Sequence, residues 1–560
     1  MNFISLSFLV FFPLVFVLYR FLPGKLRPYF LLVASWFFYL NGNLATGWIL
    51  LLTTGVTYLA ALGMDVAQGN RTLDEVSRSN VKTEENRTLN DAFGNDARNT
   101  KKRTLCRAAR HICLLLGVIT PLALLFYFKY LGFFSSNVNA FVSLFGISQV
   151  LPAYEPILPV GISFYTFQTL SYVIDVYRRK IRAEKNPFYY ALFVAFFPQL
   201  VAGPIERPEN LLPQLIGKKS VGTGQDQEPA TEDKNGRESV GDQDLVWNSF
   251  FRLLRGFFKK VAVADYLAVF VDNVYRDPAG ASAPAVMVAT VFFALQIYCD
   301  FSGYTDIACG AAGMLGIRLG ENFRLPYLAR NIRDFWRRWH ISLTSWFTDY
   351  VYIPLGGNRK GLKKQIRNIL LVFFLSGFWH GARWTFVAWG AVHGLMLAWE
   401  TWRAGKRRPS NGKRSAENVT DVEPLDSSGW IAHKENSRSL PKRLSQGFGV
   451  IRTFVLVCLV WVLFRAQSLM EAGAVYKQML LGWRGDLLAG TFSQLGLPSG
   501  GLLHVLLLLL CLALWDQEPD RTVPASSAAV RMVLQVMLIA FAWLLVLAGG
   551  GGNAFIYFQF

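Results

Sequence analysis

Three of the six histidines in this chain, His340, His380 and His393, fall close together, and two of them stand in unusual surroundings for an ionisable side chain. His380 follows the apolar run 369–374 and sits in Ser376-Gly377-Phe378-Trp379-His380-Gly381-Ala382. An imidazole at that depth is costly unless it faces a cavity or a hydrogen-bonding partner, which makes it a functional candidate. Desolvation disfavours the imidazolium and leaves a neutral ring able to accept a proton. Such a base could deprotonate a hydroxyl attacking a thioester carbonyl, then protonate the departing group. A transient acyl-histidine is the alternative route. No Gly-x-Ser-x-Gly is present, so a resident serine nucleophile is not favoured. The bland alternative is a buried histidine that only ties helices together.

His340 lies in Asp334-Phe335-Trp336-Arg337-Arg338-Trp339-His340-Ile341-Ser342-Leu343. Arg337 and Arg338 could neutralise the phosphates of a carrier, a coenzyme or a lipid head, or could simply anchor the topology. Trp336 and Trp339 interleave with them. The run 352–359, with Gly356, Gly357 and Asn358, forms a turn beside this basic stretch. His393, thirteen residues beyond His380, is either a polar packing group or a substrate contact. Asp300, Ser302, Tyr304, Thr305 and Asp306 could line a passage, orient the histidines or coordinate an ion. Trp379 adjoins His380 directly. His111, His433 and His504 are assigned ordinary roles in a charged loop, a polar linker and the start of an apolar helix.

The elements that position these residues are membrane helices. The chain has 560 residues, 52% of them hydrophobic, and long apolar runs recur along it with only 17% charged residues. That composition describes a polytopic membrane protein. The formal charge of +19 sits in short loops between apolar spans, as the positive-inside rule expects, and argues against nucleic-acid binding. The six cysteines form no CxxC pair and suggest neither a disulfide framework nor a zinc site. The uncharged start, followed by Arg20, Lys25 and Arg27, reads as a retained first span with an external amino terminus.

Expected spans cover 5–19, 28–43, 46–63, 112–133, 246–275, 285–299, 368–379, 384–402, 450–464, 500–515 and 530–548. Together with the segments below they give an all-α fold of roughly ten to twelve embedded helices. Polar cytoplasmic segments at 65–111 and 403–449, a disordered insertion at 217–244, an external linker at 466–499 and an internal turn at 517–529 separate them. Residues 161–177 mix apolar and hydroxyl side chains, which suits a helix packed against protein. The segment 188–203 should break at Pro198 and Gly203-Pro204 and lie inside the protein. Residues 324–367 carry ten Lys and Arg against only Asp334 and Asp349, with Trp336, Trp339 and Trp346 interleaved. They should follow the cytoplasmic interface or dip into the bundle.

Several ordered motifs resemble the membrane-bound O-acyltransferase family, in its bacterial polysaccharide-acetylating branch. They are Gly161-Ile-Ser-Phe-Tyr-Thr-Phe-Gln-Thr-Leu170, Val201-Ala-Gly-Pro-Ile205, Asp300-Phe-Ser-Gly-Tyr-Thr-Asp306, Asp334-Phe-Trp-Arg-Arg-Trp-His-Ile-Ser-Leu343 and Trp379-His-Gly-Ala382, supported by Tyr352-Ile-Pro-Leu-Gly-Gly-Asn-Arg359. The resemblance runs over most of the chain, about residues 3–480. It implies one membrane-embedded domain with a central catalytic passage, His380 as the principal catalytic histidine and His340 as the second. Arg337, Arg338, Trp336, Trp339, Asp300, Ser302, Tyr304, Asp306, Trp379 and Asn358 become candidate donor or substrate contacts. It further implies acetyl-coenzyme A as the acyl donor, with no permanently bound cofactor and no metal. A periplasmic acetyltransferase or acyl-accepting protein would finish transfer to alginate or another envelope polysaccharide. Membrane lipids of the bacterial inner membrane complete the partners. D-alanyl transfer from a carrier protein and peptidoglycan O-acetylation are the nearby alternatives, and a membrane transporter is the non-enzymatic one.

Overall fold

A computed structural model describes residues 1–42, 44–81, 89–154, 156–201, 203–217, 240–406, 440–483, 489–497 and 501–516. His433, the expected span 530–548, the 517–529 turn and most of the insertions at 217–244 and 403–449 lie outside the described residues. Among the described residues all regular structure is helical. Among the described residues four helical runs are long and apolar enough to cross a membrane, 44–67, 104–143, 283–314 and 446–465, and there are two shorter apolar helices. The chain divides into two compact units, residues 1–219 and 220–560.

The first unit contains α1 (Leu6–Phe21), α2 (Arg27–Leu40), α3 (Gly47–Val81), α4 (Leu89–Leu125), α5 (Leu131–Ser143), α6 (Ile162–Tyr177), α7 (Pro187–Ala195), α8 (Phe197–Leu200) and α9 (Pro208–Leu215). A π-helical turn, Phe126–Tyr130, joins α4 to α5 without a break. Helical backbone also continues into the polar 65–111 stretch, through Val81 and again from Leu89. The hydroxyl-rich α6 packs against α3 and α4 with most of its residues buried, as its mixed composition implied. Its hydroxyls bond inward, Thr169 Oγ1 donating to the Tyr165 carbonyl at 2.8 Å, while Gln168 Nε2 donates to the Phe193 carbonyl at 2.6 Å. Gly161 starts this helix at φ +75°, where a Cβ would come within 2.5 Å of the Leu200 carbonyl oxygen. The segment after it does break: α7 ends at Ala195, and Pro198 lies in the first turn of the short α8.

The second unit contains α10 (Val240–Phe257), α11 (Asp265–Tyr275), α12 (Ala283–Met314), α13 (Ile332–Arg338), α14 (Ile341–Phe347), α15 (Leu362–His380), α16 (Trp384–Lys406), α17 (Leu440–Arg465), α18 (Leu469–Leu481), α19 (Ala489–Leu495) and α20 (Gly501–Asp516). Two expectations change here. The apolar run expected to stop near Cys299 continues as one helix through the polar motif to Met314, because its acids are neutralised by partners from the neighbouring helix. The 466–499 linker contains α18 and α19. Helix α18 is nucleated by Ser468, whose Oγ accepts from the Glu471 amide at 3.1 Å, while Glu471 Oε2 accepts from the Gln467 amide at 2.9 Å.

Two glycine contacts set the scaffold of this unit. Helix α10 and its π-helical continuation Phe258–Ala264 lie along α12, and a Cβ on Gly256 would meet the Gly303 carbonyl oxygen at 2.6 Å. Helices α15 and α16 pair through Gly377 and Gly390, where a Cβ on Gly377 would meet the Phe386 carbonyl oxygen at 2.4 Å. Small residues let membrane helices approach backbone to backbone, and here they fix which side chains face one another.

Candidate active site

The backbone contact between α10 and α12 places Arg252, Arg255 and Lys259, at i, i+3 and i+7 on one helical face, opposite Asp306. Arg252 Nε donates to Asp306 Oδ1 at 3.0 Å, Arg255 binds both carboxylate oxygens at 3.1 Å, and Lys259 Nζ donates to Oδ2 at 3.1 Å. Arg252 also makes a two-pronged contact with Glu321 at 2.7 and 2.8 Å. Lys260 Nζ lies 2.6 Å from Asp265 and 2.7 Å from Asp300, and it faces the Tyr304 ring at 5.9 Å. Asp306 therefore spends its carboxylate locking α10 to α12, and does not orient an imidazole as its sequence position allowed. Ser302 and Tyr304 are buried in the same helix. The three cations on α10 and its π-helical continuation escaped the sequence reading, although their spacing inside an apolar segment was the available signal.

His340 stands between α13 and α14 and is 0% exposed. It adopts φ +45°, a left-handed conformation that costs a non-glycine residue energy and occurs disproportionately at functional sites. Phe301 of α12 meets the imidazole edge to face at 4.7 Å, and Trp379 contacts it at 5.9 Å. Neither ring nitrogen has a hydrogen-bond partner among the described residues. Burial alone lowers its pKa to about 3, so the ring is neutral at physiological pH.

His380 ends α15 and retains 4% exposure. Its ring packs against Trp379 and Trp389, each at 4.9 Å, and against Phe464 of α17 at 5.4 Å. The Trp379 indole thus touches both histidines, which places them two ring contacts apart. His393 extends the same group: it is 0% exposed and meets Trp336 and Trp389 at 5.0 Å each and Phe335, nearly parallel, at 6.1 Å. Trp339 joins through Trp461 at 5.0 Å. Trp389, Trp461 and Phe464 were not singled out in the sequence, since aromatic residues on apolar helices carry no distinguishing pattern.

The basic stretch does dip into the bundle, burying Trp336, Trp339 and Trp346. Arg337 and Arg338 have different surroundings. Arg338 Nε donates to Asp334 at 2.8 Å and its guanidinium reaches the Arg324 carbonyl at 3.3 Å, whereas Arg337 is exposed. Asn358 is exposed in the turn before α15. His111 is exposed, with Nδ1 2.8 Å from the Arg107 carbonyl, and His504 is half-buried on α20. The arrangement offers two buried imidazoles joined by an indole, one neutral by burial, in a wall of aromatic rings. Such a site can take and return a proton while excluding water.

Residues 34–413 match the family model of the membrane-bound O-acyltransferases. The chain is 34% identical over 463 residues to a probable alginate O-acetylase of Pseudomonas putida, covering 80% of this chain and 84% of that protein. It is 34% identical over 402 residues to a peptidoglycan O-acetyltransferase of Helicobacter pylori, covering 68% and 66%. It is 28% identical over 282 residues to a teichoic acid D-alanyltransferase of Bacillus subtilis, covering 46% and 64%.

Proposed function

Because the chain belongs to the membrane-bound O-acyltransferase family, we propose that this multi-pass membrane enzyme takes acetyl groups from cytoplasmic acetyl-coenzyme A and passes them towards a periplasmic partner. The partner, an acetyltransferase or acyl-accepting protein, completes O-acetylation of alginate or a related envelope polysaccharide. The enzyme sits in the bacterial inner membrane with its amino terminus outside, an orientation supported by the cations that follow the first span. Acetyl-coenzyme A is a consumed substrate, and no resident cofactor is required.

In the proposed reaction His380 removes the proton from the acceptor hydroxyl as its oxygen attacks the thioester carbonyl. The carbon–sulfur bond breaks, an ester forms, and the imidazolium returns its proton to the thiolate, so the histidine ends unchanged. His340 orients donor or acceptor from the other side of Trp379. The observation that carries this reading is the pair of buried histidines sharing one indole. Similarity along the chain favours acetyl over D-alanyl transfer, since coverage falls from 80% for the alginate enzyme to 46% for the D-alanyl one.

Radiolabelled acetyl-coenzyme A supplied to membrane vesicles, with candidate soluble acceptors, tests it. Wild type should transfer label and His380→Ala should not, at equal amounts of correctly folded protein. Normal turnover by the His380→Ala enzyme would overturn the catalytic assignment. Transfer from carrier-loaded D-alanine, run in parallel and without acetyl transfer, would replace the donor.

A further inference from the structure

The left-handed turn at His340 is held by one buried residue, Asn322, through both its backbone and its side chain. This residue is 0% exposed and belongs to the irregular segment that follows α12. Its backbone carbonyl oxygen accepts from the Ile341 amide at 2.9 Å, and its side-chain Oδ1 accepts from the Ser342 amide at 3.3 Å, the bond that Asn322→Ala removes. Those are the two amides immediately after His340, at the start of α14, where a helix leaves its first donors unsatisfied. The Asn322 Nδ2 faces Thr305 Oγ1 of α12 at 3.4 Å. A second strut runs from Arg324, whose amide donates to the Arg338 carbonyl at 3.0 Å, two residues before His340.

Thr305 and Phe301 lie one turn apart on α12. Phe301 braces the imidazole directly at 4.7 Å, and Thr305 braces the backbone through Asn322. Among the described residues no side-chain hydrogen bond fixes His340, so backbone conformation and ring packing decide where its nitrogens point. A φ of +45° persists only when the surroundings over-determine it. We propose that Asn322 is a positioning residue for acyl transfer, holding His340 in its left-handed turn, and that Thr305 orients the Asn322 amide. This rests on the assignment of His340 to the active site.

Chemical labelling separates positioning from general support. Diethyl pyrocarbonate modifies accessible imidazoles, and His340 and His393 are both 0% exposed, so the second serves as an internal control. In the full-length enzyme in detergent, Asn322→Ala should raise labelling of His340 at least about 5-fold, read by mass spectrometry, and leave His393 unchanged. Its acetyl-transfer kcat should fall about 10- to 100-fold, the range a small displacement of a reacting group produces, with donor KM within about 3-fold. Thr305→Val should show a weaker form of both effects and Thr305→Ser should restore them. Equal labelling of His340 and His393 would mean general loosening and overturn the proposal, as would wild-type labelling with wild-type kcat. His340→Ala with full turnover would instead remove the active-site assignment on which the proposal rests, while the labelling result would still report who holds the turn.

Discussion

Replacing Asp306 by Asn keeps the volume of the side chain and removes the charge on which three cations converge. The wild-type carboxylate is 7% exposed and the Lys259 ammonium 4%, with Arg252 and Arg255 at 16% and 20%. After the change Arg252 keeps Glu321, while the contacts of Arg255 and Lys259 with the Asp306 carboxylate are lost. Breaking a buried ion pair by removing one partner costs about 3–5 kcal/mol, because the remaining charge stays in a poorly solvated place. With roughly 2–4 °C of melting temperature per kcal/mol for a domain of a few hundred residues, Asp306→Asn should melt about 6–20 °C lower. Thermal unfolding of detergent-purified protein, followed by accessibility of the buried Cys299 and Cys309 to a thiol-reactive dye, measures it. Adding Lys259→Met should recover part of the loss by removing one of the charges that Asp306 neutralised. A melting temperature within 2 °C of wild type, an experimental threshold of about 1 kcal/mol or less, would refute the view that this cluster locks α10 to α12.

Gly377→Ala should destabilise the α15–α16 pair by about 1–3 kcal/mol, since its Cβ would meet the Phe386 carbonyl oxygen at 2.4 Å, and should lower turnover by displacing His380 one turn further on; melting and transfer assays read both. Arg337→Gln should weaken donor binding more at low salt than at high salt, whereas Arg338→Gln, already committed to Asp334, should not; equal effects in a binding titration would contradict the separation of the two. His340 gives a pH dependence whose sign is fixed by burial. Its folded pKa of about 3 lies below the unfolded value, so the unfolded chain binds more protons between the two. Its contribution to stability is present above pH 6.5 and declines as pH falls towards 3. Melting temperature should therefore drop between pH 7 and pH 5, and His340→Asn should flatten that slope.

The parts of this molecule legible in its sequence are those whose physics is local. Hydroxyls spread through 161–177 announced a helix surrounded by protein, and Pro198 announced the break between α7 and α8. The depth of His380 followed from the apolar run before it. The parts that were not legible depend on partners distant in the chain. Asp300 and Asp306 looked like the end of a span because nothing nearby in sequence compensates them; their cations lie on α10 and its π-helical continuation, about 40–54 residues earlier. Helix α18 was hidden in a linker of low charge, although Ser468-Leu-Met-Glu471 is the pattern of a capping box. Asn322, in a loop without regular structure, acquires meaning only when the amides after His340 are seen to point at it.

The location of the acids bears on how the histidines can work. In a hydrolytic triad a carboxylate fixes the tautomer of the base and stabilises its cation. Asp300 and Asp306 were both open to that part, and four hydrogen bonds from Arg252, Arg255 and Lys259 already occupy Asp306. His340 is fixed instead by ring packing and by the backbone that carries it, which leaves its charge state to the surrounding low-polarity medium. A neutral His340 can accept a hydrogen bond from donor or acceptor at any physiological pH, the orienting role proposed for it, while the proton passes to His380. In the proposed reaction the imidazolium formed at His380 gains no support from Asp306, whose carboxylate is committed to Arg252, Arg255 and Lys259, and this favours proton return to the leaving thiolate over retention.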